Sequence, residues 1–401
     1  MSQKENLKDL ILRLHDGEDT YTIKEEFKEN FGYLSSSGIA KLEAELIGDG
    51  MEVSEIQRLC NIHADIFTGN ISDLHSLDQV DQEEGHPLNI FRKENYGLSL
   101  YLKDTFKPLL EAYRKSYDPK TKIDLLAEVK ELSKIIKHYT RKEMLFFPFL
   151  EKAGVNGPSQ VMWGKDDEIR ALFKESNDSL DGEDLVNKID SLLEEIESMI
   201  VKENDILSPL LLKNIKPLEW ITIANASPNI GYAFSGGIEG ASPSDAMNWL
   251  EKAKSGQGVD KAHEIEDKSK IMEGETIYFP SGEINYKNLI SMLNAYPQDI
   301  TFIDKDDRVV YFSEGKNPVF PRTRTIIGRD VRNCHPPKAV PVVEQLLKDF
   351  KEGKKEVENR VLKKGNKVFL IRYFPVRDEE GSYVGTLETT EEISKILELV
   401  D

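Results

Sequence analysis

Cysteine is scarce in this sequence: the 401-residue chain has two, Cys60 and Cys334, far apart and with no neighbouring thiol. That excludes a disulfide scaffold or a zinc ribbon and leaves each thiol as a buried, inert residue or an isolated redox sensor. Long apolar runs are also absent. No stretch approaches the ~18 consecutive apolar residues of a membrane span, and the polar start MSQKENLKDL is not a signal peptide, so no membrane association and a cytoplasmic location are expected. Positive charge is in deficit. The 53 basic residues face 72 acidic ones, and the net charge of −19 repels phosphate backbones, which argues against nucleic acid as a partner. No P-loop, kinase motif, helix-turn-helix signature or nucleophile elbow is visible.

What is present is apolar content, 39% of the chain, sufficient for several cores. Residues 1 to about 75 read as short helices broken at Gly17, Gly32, Gly48 and Gly69, and Val53, Ile56, Cys60, His63 and Phe67 form one stripe at helical spacing. DQEEGHP ends this region, and Pro87 suits the first turn of a new helix. Four long helical segments follow, roughly 87–114, 121–151, 159–177 and 183–213, joined by the short turns SYDPK, AGVNGPS and SNDSLDG. Short connections favour antiparallel neighbours, so residues 81–215 are expected to form an up-and-down four-helix bundle. The pattern weakens after Trp220, and residues 216–282 read as a linker with one brief helix. Residues 283–399 change character: the helix YKNLISMLNAY, the strands DITFID and DRVVYFS, the helix AVPVVEQLLKDFKEG, then EVENRVLKK, KVFLIRYFPV and SYVGTLETTE. The fold class expected is multidomain, an all-α N-terminal region with a four-helix bundle followed by a small α/β domain with one sheet.

Carboxylates interrupt the apolar stripes. In the second bundle helix Leu125, Val129, Leu132, Ile136 and Tyr139 lead to Glu143; in the fourth, Ile189, Leu192, Ile196 and Met199 lead to Glu203. Asp166 shares a face with Met162, Ile169 and Phe173, while in the first helix the phase is open between Glu94 and Asn95. Acids converging on one apolar interior require compensation, because unpaired buried carboxylates are costly and repel one another. A metal ion held by carboxylates and imidazoles is one solution, with His63, His86 and His138 as candidate nitrogen ligands. A buried ion-pair network using Lys142, Lys165 or Arg170 is the other. His138 lies about 140° from Glu143 around an ideal helix, near the polar border of the stripe.

GHPLNIFRKEN, HYTRKEMLFFPFLEKAG, VMWGKDDEIR and MIVKENDILSPLLL resemble the hemerythrin-like HHE cation-binding domain. The first ~75 residues, including EIQRLCNIHADIF, resemble a helical domain of unknown function found before it. ITFIDKDDRVVYFS, FPRTRTIIGRDVRNCHPPK and GTLETTEEIS resemble a C-terminal PAS domain. The resemblance implies iron, mononuclear or dinuclear, or another divalent metal, held by Glu143, Glu203, Asp166, His138, His86 and His63. It also marks departures from the family's diiron set: Lys142 stands at the carboxylate position four residues after His138, Met199 replaces a histidine, and Asn89 stands where GHPxH would supply another. A PAS fold implies a ligand pocket or a homodimer contact, with His335 and Cys334 as candidate cofactor-binding residues and haem as one candidate.

The function expected is a cytoplasmic sensory or regulatory protein that responds to iron, oxygen, nitric oxide or redox state, not an enzyme, acting through a protein partner or an oligomer change. A metal-dependent oxidoreductase or iron-centre repair protein is the enzyme alternative, and a scaffold whose bundle has lost its metal is the third reading. On the metal reading, Gln at both Glu143 and Glu203 abolishes metal uptake.

Overall fold

The structure is a computed structural model, and it describes residues 3–15, 18–31, 45–46, 48–51, 83–177, 179–256, 276–279, 281–315, 318–320 and 322–398. The chain divides into two units, Met1–Lys254 and Ser255–Asp401. Near the N-terminus, helices Gln3–His15 and Thr20–Phe31 are tied together by Arg13, whose Nη2 lies 2.7 Å from Glu18 and 2.8 Å from Glu26. The stripe that contains Cys60 and His63 lies outside the described residues.

Prolines shape the bundle. Its first limb runs Pro87–Tyr101, Leu102–Phe106 and Lys107–Ser116; its second, Pro119–Leu132, Ile135–Arg141, Lys142–Phe146 and Phe147–Lys152. The third is Gly157–Glu175, and the fourth Gly182–Lys202, Glu203–Leu207 and Ser208–Asn214. Leu102–Phe106, Lys142–Phe146 and Glu203–Leu207 are π turns, and each is followed two residues later by a proline, Pro108, Pro148 or Pro209. Proline has no N–H and its ring clashes with the carbonyl four residues back, so the preceding turn widens to i→i+5 bonding instead of breaking. Asp118 and Asp181 cap the N-termini of the second and fourth limbs with their side chains. Phe91, Phe106, Leu125, Leu132, Phe146, Ile169, Ile189, Leu192 and Ile196 fill the interior.

Residues 216–256, expected to be mostly linker, are part of this body. Helices Pro217–Ile230 and Pro243–Gly256 contribute Trp220, Ile223, Ala224, Trp249 and Leu250 to the bundle core. The connection between them runs along the first limb, where Lys93 Nζ donates to the Glu239 carbonyl at 2.6 Å, and from the second of these helices Trp249 Nε1 donates to Glu83, just ahead of that limb, at 2.7 Å. Gly97 permits the closest approach, since a Cβ there would stand 1.9 Å from the Phe234 carbonyl oxygen. The apolar positions of these two helices are separated by a glycine- and serine-rich connection, which is why the sequence pattern weakens here. Among the described residues, no helix is long and apolar enough to cross a membrane.

The second unit opens with a two-stranded pair, β1 (Thr276–Phe279) and β2 (Gly282–Asn285), then helix Tyr286–Ala295. A five-stranded antiparallel sheet follows, β3 (Asp299–Asp304), β4 (Val309–Phe312), β5 (Glu358–Lys364), β6 (Lys367–Arg377) and β7 (Tyr383–Glu392), in the order β4-β3-β7-β6-β5. Asp307, at φ 64°, makes the tight turn between β3 and β4. Helix Val340–Lys351 buries Leu346, Leu347 and Phe350, and Leu347 packs with Ile303, Val309, Ile326 and Val331. Each strand and helix expected from the sequence of this region is present.

Candidate functional site

Helix Ile135–Arg141 carries His138 on the inner face of the second limb, and the π turn Lys142–Phe146 after it puts Lys142 on that face and turns Glu143 towards the third limb. Lys142 is fully buried. Its ammonium donates to Asp166 Oδ1 at 2.8 Å, Glu203 Oε1 at 2.6 Å and Met199 Sδ at 3.4 Å, and lies 4.5 Å from the centre of the Tyr139 ring. His138, also buried, has Nε2 2.9 Å from Glu203 Oε2 and Nδ1 2.8 Å from Glu94 Oε2, and stacks on Phe91 at 4.0 Å. An ionised carboxylate only accepts, so two carboxylate partners make the ring an imidazolium that donates from both nitrogens. Glu94 receives the Arg141 guanidinium and the Ala233 backbone N–H, at 2.7 Å, and Arg141 also donates to the Gly231 carbonyl at 2.8 Å. Three carboxylates, Glu94, Asp166 and Glu203, are matched by three cations, Arg141, Lys142 and His138. Glu143 sits apart, held by both Arg170 terminal nitrogens at 2.8 Å.

The electrostatics follow from these contacts. Burial works against an ionised Glu203, but Lys142 and His138 outweigh it and hold its carboxyl at about 2. Burial likewise opposes charge on Glu94, and Arg141 and His138 lower its carboxyl all the same. His138 and Lys142 are disfavoured as cations by burial, yet their carboxylate neighbours raise both. Asp166 goes the other way: burial, only partly opposed by Lys142, pushes it well above the usual range, and its Oδ2 makes no hydrogen bond.

Of the residues expected to bind metal, His138, Asp166 and Glu203 come together, Glu143 faces the separate Arg170 pair, and His63 lies outside the described residues. His86 caps the first limb, its Nδ1 accepting from Leu88 N at 3.1 Å, and it packs between Trp220 and Trp249; burial lowers it to about 4. Glu94 and Arg141 complete the cluster. The open phase of the first helix was the signal for Glu94, whereas nothing in the stripes marked Arg141. Lys142 and Arg170, two partners of the ion-pair alternative, both take part, while Lys165 pairs with Glu168 and Glu195 instead.

In the second unit, His335 Nδ1 lies 2.8 Å from the Val331 carbonyl, closing the turn Val331–Cys334, and Cys334 Sγ points at the Asp330 carbonyl at 3.7 Å. A groove of about 270 Å³ beside helix Val340–Lys351 and β5 is lined by other residues, among them Pro341, Leu346, Glu358 and Arg360. Sequence reasoning passed over Arg322, a largely buried cation beside this sheet that pairs with Glu388 at 3.1 Å and lies 3.7 Å from Asp299. Near that pairing in the strands, the buried hydroxyls of Thr301 and Thr390 make no hydrogen bond.

Three family matches cover most of the chain. Residues 7–73 match a family of unknown function (DUF438), residues 86–211 the hemerythrin HHE cation binding domain, and residues 289–394 the PAS domain. No curated protein matches the chain. Among solved structures, a C-terminal domain from Streptococcus mutans is 30% identical over 32% of this chain and 98% of its own, with a TM-score of 0.31. A PAS domain from Colwellia psychrerythraea is 15% identical over 27% of this chain and 97% of its own (TM-score 0.23). A sensory box sensor histidine kinase from Vibrio cholerae is 10% identical over 26% and 89%, respectively (TM-score 0.21).

Metal is the general ligand of an HHE domain, and the donors here do not fit it. Both Glu203 oxygens and both His138 nitrogens are engaged, Glu94 and Glu143 are held by arginines, and an ammonium stands where the carboxylates meet. A divalent ion beside Lys142 would add repulsion in a medium that screens it poorly. Among the described residues, no three His, Cys, Asp or Glu side chains are grouped to hold a metal. The chain is a multidomain protein with a hemerythrin HHE domain at residues 86–211 and a PAS domain at residues 289–394, preceded by a DUF438 segment at residues 7–73.

Proposed function

We propose that this is a cytoplasmic regulatory protein in which the PAS domain does the sensing and the helical bundle is a body held by its own charges, independent of metal. The pairing of HHE and PAS domains supports a sensory role in general. The observation that carries the finer reading is the buried Lys142 ammonium, shared by Asp166 and Glu203 of two other limbs. It favours a bundle that has exchanged its metal for an internal cation over an iron sensor, oxidoreductase or iron-centre repair protein. The signal read is then a small ligand or a redox change at the PAS domain. Output passes through a partner protein, with homodimerisation at the PAS domain as the relay.

Elemental analysis of the full chain purified without chelators tests this, together with its ultraviolet-visible spectrum. We expect no stoichiometric iron, zinc or manganese and no oxo-bridged iron absorption. Stoichiometric metal that disappears in Glu203→Gln would return the bundle to metal sensing. A Soret band would identify haem as the PAS ligand, with His335→Ala as the variant to examine.

A further inference from the structure

We propose that β5 is the edge at which two copies of this chain join: the strands pair antiparallel about a two-fold axis at Val361, so that two five-stranded sheets become one continuous sheet. The proposal rests on the reading above in which homodimerisation at the PAS domain relays the signal, and it gives that contact a surface and a register.

The sheet has two edges, β4 and β5. β4 is four residues long and its outer side is taken: Val309 N donates to the Arg329 carbonyl at 3.0 Å, Gly328 N to the Val309 carbonyl at 2.7 Å, and Val331 N to the Asp307 carbonyl at 2.8 Å. β5 is seven residues long, six of them exposed, and it pairs with β6 without a bulge. No proline interrupts it, and Val361 is 62% exposed. The groove of about 270 Å³ separates it from helix Val340–Lys351. Such a bare, regular edge offers its backbone donors and acceptors to another strand.

Charge selects both the occupant and the register. A two-fold axis normal to the sheet keeps every residue on its own face, so one residue of β5 must stand opposite its own copy. With Arg360 at the axis, two guanidiniums meet. With Leu362 there, each Arg360 faces Lys364 of the other copy. With Val361 there, valine meets valine, each Glu358 faces Lys364 of the other copy, Asn359 faces Lys363, and Arg360 faces Leu362. Unlike charges directly opposite stabilise a strand pair and like charges destabilise it, so the strand is complementary to itself in this register. Glu358 has Lys355 at 2.9 Å and Arg360 at 3.2 Å within its own chain, and its two oxygens have room for another donor. The Arg360–Leu362 pairs fall on the face that bears the groove, which carries each leucine to the rim of the other copy's groove.

The test is sedimentation equilibrium of the full chain across the micromolar range, with thermal melts to show that each variant is folded. Wild type is expected to dimerise. Glu358→Lys sets lysine against lysine and Lys364→Glu sets glutamate against glutamate, so each should weaken the dimer by about tenfold or more. Glu358→Lys/Lys364→Glu restores opposite charges with the signs exchanged and should recover the dimer, a result that misfolding does not imitate. Val361→Asp puts two carboxylates at the axis and should dissociate it. A wild-type dimer that Glu358→Lys, Lys364→Glu and Val361→Asp leave intact overturns the β5 contact while homodimeric relay stands, as does a double variant no tighter than the single ones. A monomeric wild type overturns both and leaves the edge to a strand of a different protein.

Discussion

At Glu203 a single carboxylate joins two cations from the second limb, so its loss strands both. Glu203→Gln keeps shape and removes charge, leaving Lys142 and His138 buried with a neutral acceptor; breaking such a pair costs about 3–5 kcal/mol. The cost is read from urea unfolding. Glu143→Gln should be milder, about 1–2 kcal/mol, because its partner Arg170 retains 22% of its side-chain exposure and can rehydrate. A metal-based bundle would show the reverse emphasis, with both variants losing metal before they lose stability. The stripes identified Glu143, Asp166 and Glu203 as interior because a carboxylate at an apolar position is visible in spacing. They did not separate Glu143 from the others, since that depends on a π turn that ideal-helix angles omit.

Element by element, the π turns connect sequence to site. Lys142 and Glu203 each begin one, and the Glu203 carbonyl accepts from Ser208 Oγ at 2.6 Å. The signal was present in Pro108, Pro148 and Pro209, internal to segments that otherwise read as continuous helix, and the spacing analysis did not use it. The connection along the first limb offers a second element to test. In Gly97→Ala the new Cβ would collide with the Phe234 backbone, which cannot rotate away, and Phe234 already sits at φ 56°. A loss of about 1–3 kcal/mol is expected, with faster amide exchange at residues 231–235 than in the limbs. Unchanged exchange there would show that the connection does not rest on this contact.

For the whole molecule, pH divides the network. Glu203 titrates near 2 when folded, against an ordinary 4.5, so the folded state binds fewer protons between those values. Its contribution is full above about pH 4.5 and fades as pH falls towards 2, about 3 kcal/mol in all. Glu94, also lowered, acts in the same direction. His138 is raised above 6.5, so its contribution is present below that value and is lost as pH climbs through the folded one. Asp166, a raised acid, likewise favours the folded state on the acid side of its own titration. Melting temperature should therefore be highest in mildly acidic buffer and drop steeply below about pH 4. In Glu203→Gln the acid limb should flatten; an unaltered limb would assign acid unfolding to other groups.

The sequence by itself determined the kind of protein: a helical bundle ahead of a single-sheet domain, with acids inside the bundle that demand a counter-charge. Helical spacing, turn residues and strand alternation are local, and they are read from neighbours along the chain. Which cation answers the acids was left open between a metal and lysine or arginine, because that choice depends on side chains brought from four limbs to one point. Only the tertiary structure put the Lys142 ammonium between Asp166 and Glu203, sent Glu143 to Arg170, and drew residues 217–256 into the core. Contacts across the bundle, such as that between Glu94 and Ala233, 139 residues apart, leave no periodic trace in the chain.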